Sequence, residues 1–313
     1  MANSLKPTKR PKKSVLITLL KLAAGIAALV LLFMWVDWRT ALAVMGTAKP
    51  LWLFIAACLI LLVWTLDALR LHWMTPIDNL PFAVHLALAW QSGFVMQFGF
   101  GVFSGDGYRI AGYALKSGKV FKPAAHLIAS RVAGFSCVGL MALIVSLWII
   151  VRGDPAFLST GTGIIKSVLL ACLVAFGVMA MIALSLRRRQ KLPQWLIEAR
   201  GAVKTITLSI WALSIVMVLL RGLAFWCILI ALDINSQFFV PLLASIIATL
   251  SALLPVLGGL GVREGAYTGI TSIFAIDPAI GLSAAILMRL VVLLATSCGL
   301  LLSLGLNTNT VRN

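Results

Sequence analysis

The stretch Leu254-Pro-Val-Leu-Gly-Gly-Leu-Gly-Val-Arg-Glu-Gly-Ala266 decides how this chain is read. It sets a proline, four glycines and an Arg-Glu pair inside sequence apolar enough to reach the middle of a bilayer. A helix running through it would lose a hydrogen bond at Pro255 and be weakened at each glycine. Irregular backbone survives at membrane depth only where protein or a water-filled cavity covers it. Charges at that depth are costly and as a rule functional. The stretch therefore predicts the turn of a re-entrant helical hairpin, with Gly258, Gly259 and Gly261 at its tip and a new helix from Val262. Earlier in the chain, Gly99-Phe-Gly-Val-Phe-Ser-Gly-Asp-Gly-Tyr-Arg109 has the same ingredients, with Gly105 and Gly107 flanking Asp106, and predicts a second hairpin.

The whole-chain numbers agree with a membrane setting. Of 313 residues, 61% are hydrophobic and 11% charged, and the mean hydropathy is +1.06. A soluble domain carries roughly 25% charged residues, so the expected class is an all-α integral membrane protein. The formal charge of +17 raises nucleic acid as a partner. Such binding needs a basic face with polar or aromatic readers on a soluble module, and no segment has that composition. The basic residues gather instead at the ends of apolar spans, as the positive-inside rule requires. Cys58, Cys137, Cys172, Cys227 and Cys298 all lie in apolar runs without metal-type pairing and read as small buried hydrophobes. The three histidines are scattered, no HExxH pattern occurs, and neither glycine-rich break matches a nucleotide-binding loop. No metal or other cofactor is expected.

Taken in order, residues 1–13 form a basic tail that marks the cytoplasmic side. Ser14 to Val36 is a first span, Leu51 to Leu69 a second, and Pro81 to Phe103 enters the membrane and turns back. Pro123 to Val151 is a third full span. The halves meet beyond it, and the second half repeats the order: Ile164 to Leu186, Thr205 to Leu232, a broken segment from Phe238 to Phe274, and Ile280 to Leu304. Each full span reaches or exceeds the length needed to cross, roughly 17–25 apolar residues. The expectation is six transmembrane helices plus two re-entrant hairpins in an inverted-topology repeat. Its units are residues 14–151 and 152–304, and a short tail, 305–313, is cytoplasmic like the first. Broken segments at matching positions of two halves point to a transporter's midplane site.

The charged residues inside this frame are the candidate site. Helices beginning after the two tips aim backbone N–H groups at the breaks. Arg263 and Arg109 add full charges there, and Arg131, Arg221 and Arg289 sit on full spans. Guanidinium groups grip phosphate or carboxylate bidentately, so several converging arginines suggest an anionic head group. Asp106 and Arg109 are three apart and can face each other on one helix. Arg263 and Glu264 are adjacent and point apart, so Glu264 needs another partner, Arg289 or Arg131. Asp67 and Arg70 read as a structural pair at the membrane boundary, and His126 as a satisfied or exposed histidine.

These residues resemble the transmembrane-domain family of bacterial lysylphosphatidylglycerol synthase/flippase proteins over roughly residues 15–305. Pro255 followed by Gly258-Gly-Leu-Gly-Val-Arg-Glu264 is similar to that family's Pro-x-x-Gly-Gly-x-Gly-x-Arg-Glu. Gly105-Asp-Gly-Tyr-Arg109 resembles a looser Gly-(Asp/Glu)-x-x-Arg. Arg131 and Arg289 fall where the family has arginines, while Ser130 stands where an acid often precedes the first of them. The resemblance implies a stand-alone member in the bacterial cytoplasmic membrane, ending at residue 313 without a soluble aminoacyl-transfer domain. It implies a flippase or scramblase for a phospholipid, an aminoacylated lipid, or a polyprenyl-linked or hopanoid lipid. A lipid or polysaccharide synthase is the partner class to expect. Two other functions remain open on the sequence: an enzyme modifying a lipid head group, and a non-catalytic partner of such a synthase.

Overall fold

The computed structural model describes residues 38–74, 80–99, 101–118, 120–152, 198, 201–251 and 261–306. The expected spans Ser14 to Val36 and Ile164 to Leu186, and the tip residues Pro255, Gly258 and Gly259, lie outside the described residues. What is described is helical: α1 Trp38–Gly46, α2 Pro50–Met74, α3 Phe82–Phe98, α4 Val102–Ser117, α5 Phe121–Arg152, α6 Leu208–Ala231, α7 Phe239–Ser251, α8 Val262–Ile273 and α9 Pro278–Leu304.

Length separates two kinds of helix. α2, α5, α6 and α9, with 25, 32, 24 and 27 residues, are long and apolar enough to cross a membrane. α3, α4, α7 and α8, with 17, 16, 13 and 12 residues, fall short of the ~20 required. The boundaries have local causes. Pro50 and Pro278 open their helices, where a missing N–H costs nothing. Asp277 caps α9 by accepting from the Ala279 N–H at 2.7 Å. α4 and α8 each start on a glycine at positive φ, Gly101 at 55° and Gly261 at 76°, a conformation that costs other residues a steric penalty.

The two sets of four helices keep one spacing. The starts of α2 and α6, α3 and α7, α4 and α8, and α5 and α9 are 158, 157, 160 and 157 positions apart. Their packing matches as well. α2 touches α3 as α6 touches α7, and the short helices pair as α3 with α4 and α7 with α8. Across the halves, α3 packs on α9 and α7 on α5. The largest contact is between α2 and α6 themselves. These two run antiparallel. Arg70 near the end of α2 donates to Ser214 near the start of α6, at 2.9 Å. The Lys49 N–H just before α2 donates to the Ala231 carbonyl that ends α6, at 3.0 Å.

One buried apolar cluster joins the halves, from Ile60 and Trp64 on α2 to Phe225 and Ile228 on α6 and Met288 on α9. Small residues let helices approach, the usual device where lipid is as apolar as the side chains. A Cβ on Gly222 would stand 3.0 Å from the Leu242 Cα and 2.8 Å from its Cδ1. Gly222→Val should therefore force α6 and α7 apart and destabilise by about 1–3 kcal/mol. Gly269 has open space around it, and Gly269→Ala should hold or raise stability. Thermal unfolding of the two variants in detergent micelles checks both expectations.

Candidate functional site

Among the described residues, three carboxylates lie inside the helical body, and each is held by arginine. Asp67, in the middle of α2's apolar run, is 3% exposed. Its Oδ1 accepts from Arg70 Nη2 at 2.7 Å, and its Oδ2 lies 2.6 Å from Arg109 Nη1. Arg109 on α4 is the largest fully buried side chain, 1% exposed. Its Nε donates to Ser92 Oγ on α3 at 2.6 Å, and its guanidinium lies 5.7 Å from the Trp64 ring. Arg70 reaches across to Ser214 of the second half. A Cβ on Gly134 would come within 2.9 Å of the Arg70 Nη1, so the glycine leaves room for that guanidinium.

The second carboxylate, Asp106 on α4, pairs with Arg131 on α5. Arg131 Nε donates to Oδ2 at 2.9 Å and Nη2 to Oδ1 at 2.6 Å, the two-point geometry that guanidinium favours. The third, Glu264 on α8, pairs with Arg289 on α9. Both pairs join residues 25 apart in sequence, and both tie a short helix to the long helix that follows it.

One expected pairing changes. Asp106 does not face Arg109: it turns to α5 and Arg131, while Arg109 turns inward to α2. Residues three apart can pair, as Asp67 and Arg70 do, but α5 presents Arg131 to Asp106 and α2 presents Asp67 to Arg109. Asp67 and Arg70 do form the expected pair, and both are 3% exposed. The alternative of Arg289 for Glu264 holds, and His126 is a satisfied histidine, 5% exposed with Nδ1 2.9 Å from the Lys122 carbonyl.

Between the halves is a cavity of about 90 Å³. Arg70, Arg131, Arg221 and Arg263 all reach its wall, together with Trp64 and Tyr267. Among the described residues the wall has no carboxylate. Arg221 and Arg263 have no acid within ion-pair distance among the described residues. A cavity of about 20 Å³ adjoins Arg263, Glu264 and Arg289. Of the expected head-group arginines, Arg131, Arg221 and Arg263 share the larger cavity, Arg289 lies at the smaller one, and Arg109 lines neither. Gly105 packs against Ser92, where a Cβ would stand 3.0 Å from its carbonyl oxygen, and Gly107 is exposed.

Long apolar helices around a buried arginine-lined chamber define a multi-pass α-helical membrane protein. The chain belongs to the family of the lysylphosphatidylglycerol synthase TM region, whose model matches residues 18–299. No curated protein matches it significantly. It is thus a membrane protein of a family tied to lipid modification and transport.

Because Asp67 alone compensates two sealed guanidinium groups, Asp67→Asn should cost more than any surface change, about 3–5 kcal/mol. A fall in the thermal midpoint of the purified protein, with Asp233→Asn at the exposed Lys49 pair as the unaffected control, is the expected result.

Proposed function

We propose that the protein is a lipid translocase, a flippase or scramblase, that takes an anionic head group into the arginine cavity while the apolar tail stays in the bilayer. The observation that carries this reading is Arg221 and Arg263 meeting in one cavity without an acid among the described residues. Both are half-buried, and positive charge drawn partly out of water without compensation is costly, so such a chamber favours an anionic visitor. In the proposal Arg131, Arg221 and Arg263 contact the head group. Asp106 and Glu264 hold Arg131 and Arg289 in place, and Arg109 braces the first short-helix pair from behind.

The frame for transport is an inverted repeat with two re-entrant hairpins. Support comes from the constant spacing of the two helix sets, their matched packing, the antiparallel α2 and α6, and four helices too short to cross. Transporters of that design bind at the interface of the repeats. We place both termini in the cytoplasm of a bacterium, from the basic tail.

Two measurements test this. In proteoliposomes, Arg263→Ala should slow lipid flipping by roughly tenfold or more, the loss expected for a charge-assisted contact. Unchanged flipping would remove Arg263 from the mechanism. For the topology, single cysteines at Pro81 and Lys116 should label from one side of the membrane, and those at Gln237 and Ile276 from the other. Labelling of Pro81 and Lys116 from opposite sides would make α3 and α4 a crossing unit.

A further inference from the structure

We infer that the cavity selects a head group bearing two negative charges on phosphate, a phosphomonoester or diphosphate, over zwitterionic or aminoacylated head groups. This rests on the translocase reading and narrows its substrate. Six arginines, at 70, 109, 131, 221, 263 and 289, stand against Asp67, Asp106 and Glu264. Pairing consumes Arg131 and Arg289 singly and leaves Arg70 and Arg109 sharing one carboxylate. Arg221 and Arg263 remain, both on the cavity wall, and bring two uncompensated charges to one place, beside the one surplus charge shared by Arg70 and Arg109. A phosphodiester brings one negative charge to meet them. A phosphomonoester brings nearly two above its second pKa of about 6, with three acceptor oxygens.

The wall also works against a cation. An ammonium group on the head would find no carboxylate on the described wall. It would meet four guanidinium groups instead, a repulsion that low dielectric strengthens. Size points the same way. A water needs roughly 10–15 Å³ of such space, so about 90 Å³ holds a phosphate group and a few waters. The rest of the wall, including Ile60, Val63, Met217 and Val292, suits the start of an apolar tail. The two halves divide the task unequally. Positions matching Arg221 and Arg263 at the 158 spacing hold Val63 and Gly105, so the phosphate charges would face the second half.

The experiment measures binding to the purified full chain in phosphatidylcholine nanodiscs at pH 8. The probes are dioleoyl phosphatidate, phosphatidylglycerol, lysyl-phosphatidylglycerol and inorganic phosphate. Phosphatidate should bind roughly tenfold or more tightly than phosphatidylglycerol, and lysyl-phosphatidylglycerol most weakly. Arg221→Gln and Arg263→Gln should each abolish the preference. Arg221→Lys and Arg263→Lys, which keep the charge, should retain part of it and show that the fold survives. Equal binding of phosphatidylglycerol, or a preference that persists in both glutamine variants, overturns the inference. If labelled phosphatidylglycerol flips normally in that case, the translocase reading stands without it. If inorganic phosphate binds as tightly as phosphatidate and no lipid flips, the dianion site stands, its ligand is the free ion, and the translocase reading falls.

Discussion

A guanidinium group inside a bilayer needs counter-charge, and the rest of this structure is arranged by how that need is met. Carboxylates are scarce in the interior, and each is taken. Asp67 serves two arginines from different helices, with Ser92 and Ser214 each accepting one further donor. This network fastens α2, α3, α4 and α6 at one point. It explains how a helix as polar at its start as α4 can stay inside the apolar body.

The paired halves show one scaffold carrying two chemistries. Asp106–Arg131 and Glu264–Arg289 occupy matching positions and do the same work, locking a short helix to the long one after it. The positions matching Asp67 and Arg109 are Phe225 and Tyr267, whose rings meet at a centroid distance of 4.2 Å. An ion pair in one half is thus an aromatic pair in the other. Both fill the space between the corresponding helices, but only the ion pair carries charge. The second half has its own unmatched charges at Arg221 and Arg263, on the cavity wall. Near-symmetric packing with asymmetric charge gives the chamber a direction that the helix arrangement alone lacks.

Packing sets the limits within which this chemistry operates. Gly134 leaves room for Arg70, Gly222 admits Leu242, and Gly93 lies against Trp64. Each close approach uses the absence of a side chain to bring helices together where the hydrophobic effect gives no help. The cavity remains because bulky arginines, partly held by their own pairs, prevent these helices from closing completely.

The sequence by itself determined the membrane class, the family and the four long apolar helices among the described residues. These follow from local quantities: the length of an apolar run, a glycine before a helix start, an arginine within a span. It also narrowed Glu264's partner to two arginines, of which Arg289 is the one. Only the tertiary structure decided which acid met which arginine. Asp106 and Arg109 are three residues apart and could have paired, yet α5 brought Arg131 to one and α2 brought Asp67 to the other. Spacing along a helix fixes the faces on which side chains stand. What waits opposite each face depends on helices far away in sequence, and in a low-dielectric interior that distant neighbour settles the pairing.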